Sequence, residues 1–384
     1  MTNSITAAEL RDRIDDGTDF ELVDTRPEDN YESWHIDGAV NYPYKPDDEF
    51  DPETFKRQTG VEEDDTVYTI CAKGISSDDF ADELRAHGFE EVTVVGDGME
   101  AWSAVYDVVE IPTASEAVEI FQIQRRAKGC LGYLVGSTST REAAVVDASR
   151  HTDEFVAAAD EHGYTITDVF DTHVHADHVS GGRKLASDVG ATYHLGADAR
   201  ERGVEYEYDA LAANDVVRVG DVEIKALSTP GHTSEIVSYL VDAEAVLTGD
   251  TLFVGSVGRT ELQFGGGGAA DGAHLLYQSL HRTLLAEPDS VSVLPGHFAL
   301  SNEGEATDGT PGEPILASVG DLRQGQELLQ VDEETFVDRL TDRLPEKPPN
   351  YETVIDVNTG RVELDDEQEA TELELGPNRC AAGD

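Results

Sequence analysis

The apolar positions of this chain fall into short runs of strand length, separated by stretches with helical spacing. Thr6 and Glu9 form a Thr-x-x-Glu pair, which predicts a helix that turns Leu10 and Ile14 inward. FELVDT and TVYTI are apolar runs rich in β-branched residues and predict buried strands, the second closing on Cys71. SSDDFADELRAHG follows with acids in its first turn and Gly88 at its end, which predicts a helix capped by Ser76 or Ser77. VTVV then predicts another strand. Strand, helix and strand in close succession form a parallel α/β sheet, so residues 1–110 are expected to be one compact domain.

The pattern changes after IPTASEAVEIFQIQRR, where Pro112 marks a linker at 111–120. GYLVGS, EAAVVDAS, VEIKALST, IVSYLVDA and AVLTGD are strand-like runs at short spacing, with helical stretches such as TDEFVAAADEHG between some of them. Residues 121–384 therefore predict a larger α/β domain, ending in an acidic tail over about 362–384. FGGGGAADG and SNEGEATDGTPGE predict loops. No internal repeat is visible.

Composition narrows the function. At 384 residues the chain has room for two or three cores. Its 27 Lys and Arg face 80 Asp and Glu, a formal net charge of −53, and the acids are spread along the whole length. Nucleic acids and anionic membrane surfaces are poor partners for such a surface, because binding them requires phosphates to be neutralised by a basic face. Lysines occur only at 45, 56, 73, 128, 184, 225 and 347, as expected of a halophilic protein whose self-repulsion is screened by concentrated ions. MTNSITAAEL has neither a basic n-region nor an apolar h-region, and no apolar run approaches the ~20 residues of a membrane span. Three widely spaced cysteines, Cys71, Cys130 and Cys380, fit a reducing cytoplasm better than a disulfide framework. Cys130 reads as a packing residue and Cys380 as part of a mobile tail. The expected partners are small molecules, and the oligomeric state stays open, a homo-oligomer included.

Two groups of residues carry candidate chemistry. Cys71 sits between a buried strand and a helix, where backbone N–H groups, the helix dipole and Lys73 would lower the thiol pKa and stabilise a persulfide. The residues alone leave open that Cys71 is only a small buried hydrophobe. The segments LVDTRPEDNYESWHIDGAVNYP, TICAKGISS and FEEVTVVGDGMEAW, however, resemble the rhodanese family of sulfurtransferases over the whole first domain. Asp24-Thr25-Arg26, His35 to Ala39 and Gly98 to Trp102 match its motifs. The resemblance implies that Cys71 is the sulfur carrier, with Gly74 at the turn of its loop and Lys73 and Gly74 next to the substrate. Ala72 and Ser76 stand where rhodaneses usually carry basic residues, so thiosulfate is not assured as a donor.

In ITDVFDTHVHADHVSGG, His173, His175, Asp177 and His178 fall within six positions at the end of an apolar strand. Buried without partners, these groups would be costly; a metal ion makes each one a ligand or a ligand orienter. His232, Asp250 and His297 likewise follow apolar strands, and strand ends that converge on one sheet edge form a common crevice. The T-H-x-H-x-D-H motif resembles the metallo-β-lactamase superfamily, which implies a four-layer αββα sandwich from about residue 118 onwards. TGDTLFVGSVGRTELQ and LPEKPPNYETVIDVN resemble the persulfide dioxygenases, with glyoxalase II enzymes as near relatives. The dioxygenase resemblance implies one Fe(II) on His173, His232 and Asp250, with His175, Asp177, His178 and His297 orienting those ligands, and Arg259 facing the substrate. A thiol persulfide and O₂ would be consumed, with sulfite or thiosulfate as products or donors. The glyoxalase II resemblance implies two Zn(II) ions on the same seven residues and thioester hydrolysis. Phe298-Ala299 stands where dioxygenases carry Asp-Tyr, which opens the thiol carrier to something other than glutathione.

Overall fold

The computed structural model of the chain describes residues 3–46, 49–342, 344 and 347–382. Its first sheet contains β1 (Ser4–Ile5), β2 (Glu21–Asp24), β3 (Val40–Asn41), β4 (Thr66–Ile70) and β5 (Glu91–Val95), in the order β1-β5-β4-β2-β3. Every pair is parallel. Phe80, Ala81 and Leu84 of helix Ile75–Ala86 pack with Val67, Val92 and Val94, and Leu10, Met99 and Trp102 pack in a second cluster with Leu22, Tyr68 and Ile70. The Thr6–Glu9 box is present, with each side chain bonded to the other's backbone amide. Helix Ile75–Ala86 departs from expectation at its cap. Gly74 takes that position in the left-handed region (φ +79°), and Ser76 and Ser77 lie inside the first turn. A Cβ on Gly74 would lie 2.8 Å from the Asp97 amide, so the turn closes tightly only around glycine.

A sandwich of two further sheets follows. The first holds β6 (Tyr106–Ile111), β7 (Val118–Arg125), β8 (Cys130–Ser137), β9 (Glu142–Val146), β10 (Thr165–Phe170), β11 (Thr192–Gly196) and β12 (Asp209–Leu211), laid out in sequence order. The second holds β13 (Val216–Val219), β14 (Val222–Ser228), β15 (Val237–Val241), β16 (Ala245–Gly249), β17 (Ser292–Pro295) and β18 (Ala317–Ser318), also in order. Their facing sides share one core, where Ile120, Tyr133, Val146 and Phe170 meet Ile224, Tyr239, Leu247 and Leu294. Phe155, Ala158, Leu185 and Ala186, from helices Thr152–His162 and Gly182–Val189, join residues of the first sheet in another cluster. Leu276 and Leu280 of helix Glu261–Arg282 do the same with the second sheet. The layers are therefore α, β, β and α, the sandwich expected.

Three segments differ from the sequence reading. In place of a linker at 111–120, β6 and β7 pair antiparallel across a short turn, so the sandwich begins at Tyr106. FGGGGAADG is helical, inside Glu261–Arg282, with a kink at Gly265 (φ 68°, ψ 168°). The acidic end forms helix Glu367–Leu373 and docks on the sandwich through Glu374 and Cys380, both about 1% exposed.

The two domains are in contact. Arg126 reaches Asp15 of the first domain at 2.7 Å and Asp107 at 2.8 Å, and Ala127 joins the cluster of Trp34 and Trp102. No helix among the described residues is long and apolar enough to cross a membrane.

Candidate active site

Strand ends and starts of both sandwich sheets meet at one edge. The amide of Gly296 donates to the Gly249 carbonyl and that of Leu131 to Gly296, tying three segments together, and the Val237 amide donates to the Thr172 carbonyl. Thr172 is fixed by Asp147, which accepts from its amide at 2.7 Å and from its hydroxyl at 2.9 Å, and Thr172 Oγ1 lies 2.9 Å from His173 Nδ1. His232 donates Nδ1–H to the Arg259 carbonyl at 2.7 Å. Both imidazoles thus keep Nε2 for the site interior.

There, His173 Nε2 and His232 Nε2 lie 3.7 and 3.5 Å from the same oxygen, Asp250 Oδ2. His173 Nε2 and Asp250 Oδ2 are buried and lack hydrogen-bond partners in the protein. Buried polar atoms are ordinarily satisfied, so a converging set of unpartnered nitrogen and oxygen donors fits a cation held between them. Burial and the neighbouring His175 hold His173 well below the usual imidazole range, and burial also lowers His232. Neutral imidazole is the form that binds a metal. Burial opposes ionisation of Asp250, but the charge and hydrogen bond of His297 outweigh it and keep the carboxyl ionised.

The remaining sequence candidates surround this trio. His297 spans two carboxylates, with Nδ1 at 2.7 Å from Asp250 Oδ1 and Nε2 at 3.0 Å from Asp177 Oδ2. His178 Nδ1 lies 3.1 Å from Asp177 Oδ1. His175 points elsewhere, with Nε2 at 3.2 Å from Asp147, while its Nδ1 is buried and unpartnered. Arg259 is 1% exposed and ion-paired with Glu261, and its Nη1 donates to the Arg379 carbonyl at 2.8 Å. Its carbonyl positions His232.

Other residues reach the site from elsewhere in the chain. Cys130 Sγ lies 3.5 Å from Asp177 Oδ2 and 3.7 Å from His178 Nδ1. Burial pushes its thiol up, but the charges of His178 and His297 outweigh this and bring it to about 7. Cys380 is buried beside Asp250 and His297, contrary to the mobile tail expected. Asn358 holds the histidine loop by donating to the carbonyls of His175 and His178 at 2.9 and 2.8 Å. Glu374 accepts from the Val179 amide at 2.6 Å and pairs with Arg125 and Arg150, each at 2.8 Å. Asp147 alone had a local signal, being an acid at a strand end. The others lie far from the histidine motif in sequence.

Cys71 is 3% exposed at the end of β4, on a cavity of about 530 Å³ lined by Arg26, Tyr44, Lys45, Ala72 and Ser76 among others. Burial opposes ionisation, but hydrogen bonds from the Ser76 and Ser77 side chains and from the Ser77 and Lys73 amides prevail and lower the thiol pKa. Ser77 Oγ lies 3.3 Å from Sγ. The Lys73 ammonium turns away and pairs with Glu100 at 3.4 Å, so this residue acts on the sulfur through its backbone. Arg26 is locked by Asp24 at 2.6 Å and by the Trp34 carbonyl at 2.7 Å.

A parallel-sheet domain with a cradled cysteine, followed by a four-layer sandwich with a histidine–carboxylate centre, defines a two-module metal-site protein. The profile of the rhodanese-like domain matches residues 6–105, and that of the metallo-beta-lactamase superfamily matches residues 125–297. Hydroxyacylglutathione hydrolase of Polaromonas sp. strain JS666 is 30% identical over 247 residues, which are 58% of this chain and 90% of that protein. Among solved structures, ETHE1 from Myxococcus xanthus is 30% identical with a TM-score of 0.52, covering 62% of this chain and 95% of that one. A metallo-beta-lactamase from Staphylococcus aureus subsp. aureus COL is 28% identical with a TM-score of 0.59, covering 65% and 75%. The chain belongs to the metallo-beta-lactamase superfamily and carries a rhodanese-like domain at its N-terminal side.

Proposed function

We propose that the protein is a sulfur-metabolism enzyme that oxidises a low-molecular-weight thiol persulfide to sulfite, coupled to sulfane-sulfur transfer through Cys71. The observation that carries this reading is the convergence of His173, His232 and Asp250 in a chain that also presents a cradled cysteine. Two imidazoles and one carboxylate are the protein ligands of non-haem iron oxygenases. Fe(II) bound there would supply open positions for a persulfide sulfur and for O₂. The protein's own part is to keep the imidazoles neutral, to keep Asp250 ionised through His297, and to exclude water by burying all three groups. In the first domain, donors from Ser76, Ser77 and the loop amides favour a negative charge on sulfur, which suits both the Cys71 thiolate and its persulfide.

The test is oxygen uptake by the Fe(II)-loaded full chain in molar KCl on addition of a small-thiol persulfide. Uptake that disappears in His232→Ala supports the dioxygenase. Folded, iron-loaded protein that consumes no oxygen rejects it. Cys71→Ser is expected to lose sulfur transfer and keep oxygen uptake.

A second reading, a dinuclear Zn(II) thioester hydrolase of glyoxalase II type, draws on the hydroxyacylglutathione hydrolases among the relatives. The unpartnered His175 Nδ1 favours it, because that atom is free to act as a further ligand. Hydrolysis of a small-thiol thioester by zinc-loaded protein, without oxygen uptake by iron-loaded protein, would establish this reading in place of the first.

A further inference from the structure

The amides on either side of His173 both donate to buried carboxylates. That of Thr172 goes to Asp147, and that of Val174 goes to Glu235 Oε1 at 3.1 Å. Glu235 belongs to the loop between β14 and β15, three positions after His232. Its side chain therefore joins the backbone beside one imidazole of the trio to the loop that carries the other. A second link between these segments, from the Val237 amide to the Thr172 carbonyl, is backbone to backbone. Glu235 Oε2 lies 3.2 Å from Nε of Arg202, which follows β11 in sequence. The end of β11 also meets the loop directly, since a Cβ on Gly196 would lie 2.5 Å from the Glu235 carbonyl. Replacing a buried ion pair by apolar residues of similar volume is commonly neutral or stabilising. Stability alone therefore leaves unexplained why this loop buries a carboxylate against an amide one residue from His173.

The geometry points to Glu235 as the positioning residue that sets His173 against His232, with Arg202 neutralising and aiming its carboxylate. With the amides of Thr172 and Val174 both anchored, residue 173 has little backbone freedom, and its Nε2 is held 3.7 Å from Asp250 Oδ2. His232 Nε2 lies 3.5 Å from the same oxygen. Because Glu235 rides on the His232 loop and grips the His173 segment, a shift of one imidazole carries the other with it. A metal ion must engage both nitrogens at once, so a pair set in advance binds it without the cost of ordering two loops. Outer groups that orient metal ligands typically contribute 10–100-fold in affinity. Glu235 acts through the Val174 amide and is not itself a ligand. The inference rests on the trio as a metal site, which both readings above share, and does not depend on which reaction the trio performs.

The test measures Co(II) binding to the full-length apoprotein under anaerobic conditions, followed by the visible absorption that His232→Ala abolishes. Two double variants remove the Glu235 and Arg202 charges equally and differ only in what they offer the Val174 amide. Glu235→Ala with Arg202→Leu offers no acceptor, whereas Glu235→Gln with Arg202→Leu keeps a carboxamide oxygen. The first is expected to bind Co(II) about 10–100-fold more weakly than wild type, and the second to stay within about threefold of it. Phe155→Leu, in the separate cluster under helix Thr152–His162, lowers stability in urea and is expected to leave the affinity unchanged. Residue-resolved hydrogen exchange of the wild-type apoprotein should show the Val174 amide protected like that of Thr172, a readout that stands even if the alanine variant fails to fold. Equal affinities of the two double variants, a loss shared by Phe155→Leu, or a rapidly exchanging Val174 amide would overturn the role of Glu235. Wild-type protein that takes up no Co(II) would overturn it together with the trio. Absence of oxygen uptake by iron-loaded protein, with the affinities as expected, would reject the dioxygenase and leave the positioning role standing.

Discussion

At Cys71 the thiol is stabilised as thiolate by hydrogen-bond donors and not by a neighbouring ammonium. The Ser76 and Ser77 side chains and the amides of Lys73 and Ser77 offset burial, while the Lys73 charge is spent on Glu100. A hydrogen bond to an ionised acceptor is worth about 1.5–3 kcal/mol, so Ser77→Ala is expected to move the thiol alkylation midpoint to higher pH and to slow alkylation at neutral pH by about tenfold. An unchanged alkylation rate profile would mean that the backbone amides suffice. The cysteine itself was legible, because it ends an apolar strand before a helix. The source of its stabilisation was not: lysine is the obvious local cation, and only the turn at Gly74 decides that residue 73 presents its amide to sulfur and its side chain to Glu100. Likewise the histidine motif was legible as a candidate metal site, since several possible ligands fall within six positions of the chain. Cys130 was not, because no local pattern tells that the start of β8 lies beside His297.

At the scale of elements, the strands were legible from their β-branched runs, but two segments with poor local signals are shaped by packing. FGGGGAADG forms helix despite the low propensity of glycine, and close approach accounts for Gly272 but not for the run before it, since Cβ positions on Gly265 and Gly267 meet nothing within 4 Å. Gly231, just before His232, leaves only 2.5 Å from its Cβ position to Leu276 Cα, and a Cβ on Gly272 would lie 2.8 Å from Phe264. Gly231 and Gly272 let the helix press on the loop that presents His232. The C-terminal segment is the second case, where a run that looks like solvated charge supplies Glu374, a fully buried anion between Arg125 and Arg150. Breaking such a pair costs about 3–5 kcal/mol, so Glu374→Gln is expected to lower unfolding stability by that amount in urea at neutral pH. Burial raises the Glu374 carboxyl pKa, but the two arginines more than compensate and bring it to about 2 from the ordinary 4.5. A depressed carboxyl pKa stabilises the fold fully above pH 4.5 and loses that effect as pH falls through about 2. The stability gap between wild type and variant should therefore narrow between those values, and a gap that is constant with pH would show that Glu374 acts by packing alone.

For the whole molecule the dominant quantity is a net charge of −53 on 384 residues. A compact chain of this length has a radius of gyration of about 21 Å. The Debye length is about 30 Å at 0.01 M salt and about 3 Å at 1 M. Repulsion among surface carboxylates therefore acts across the entire fold at low salt, and only between adjacent groups at high salt. Unfolding separates the charges, so low salt favours the unfolded chain, whereas buried pairs such as Arg125–Glu374 are screened little in either condition. The thermal midpoint of the full chain, at fixed metal loading, is expected to rise by at least about 5 °C from 10 mM to molar KCl, equivalent to roughly 4 kcal/mol for a chain of this length. Guanidinium chloride would confuse the comparison because it is itself a salt; urea at each KCl concentration avoids this. Equal midpoints in both conditions would mean that the acids are already neutralised within the fold by local pairing, and the halophilic reading would fail.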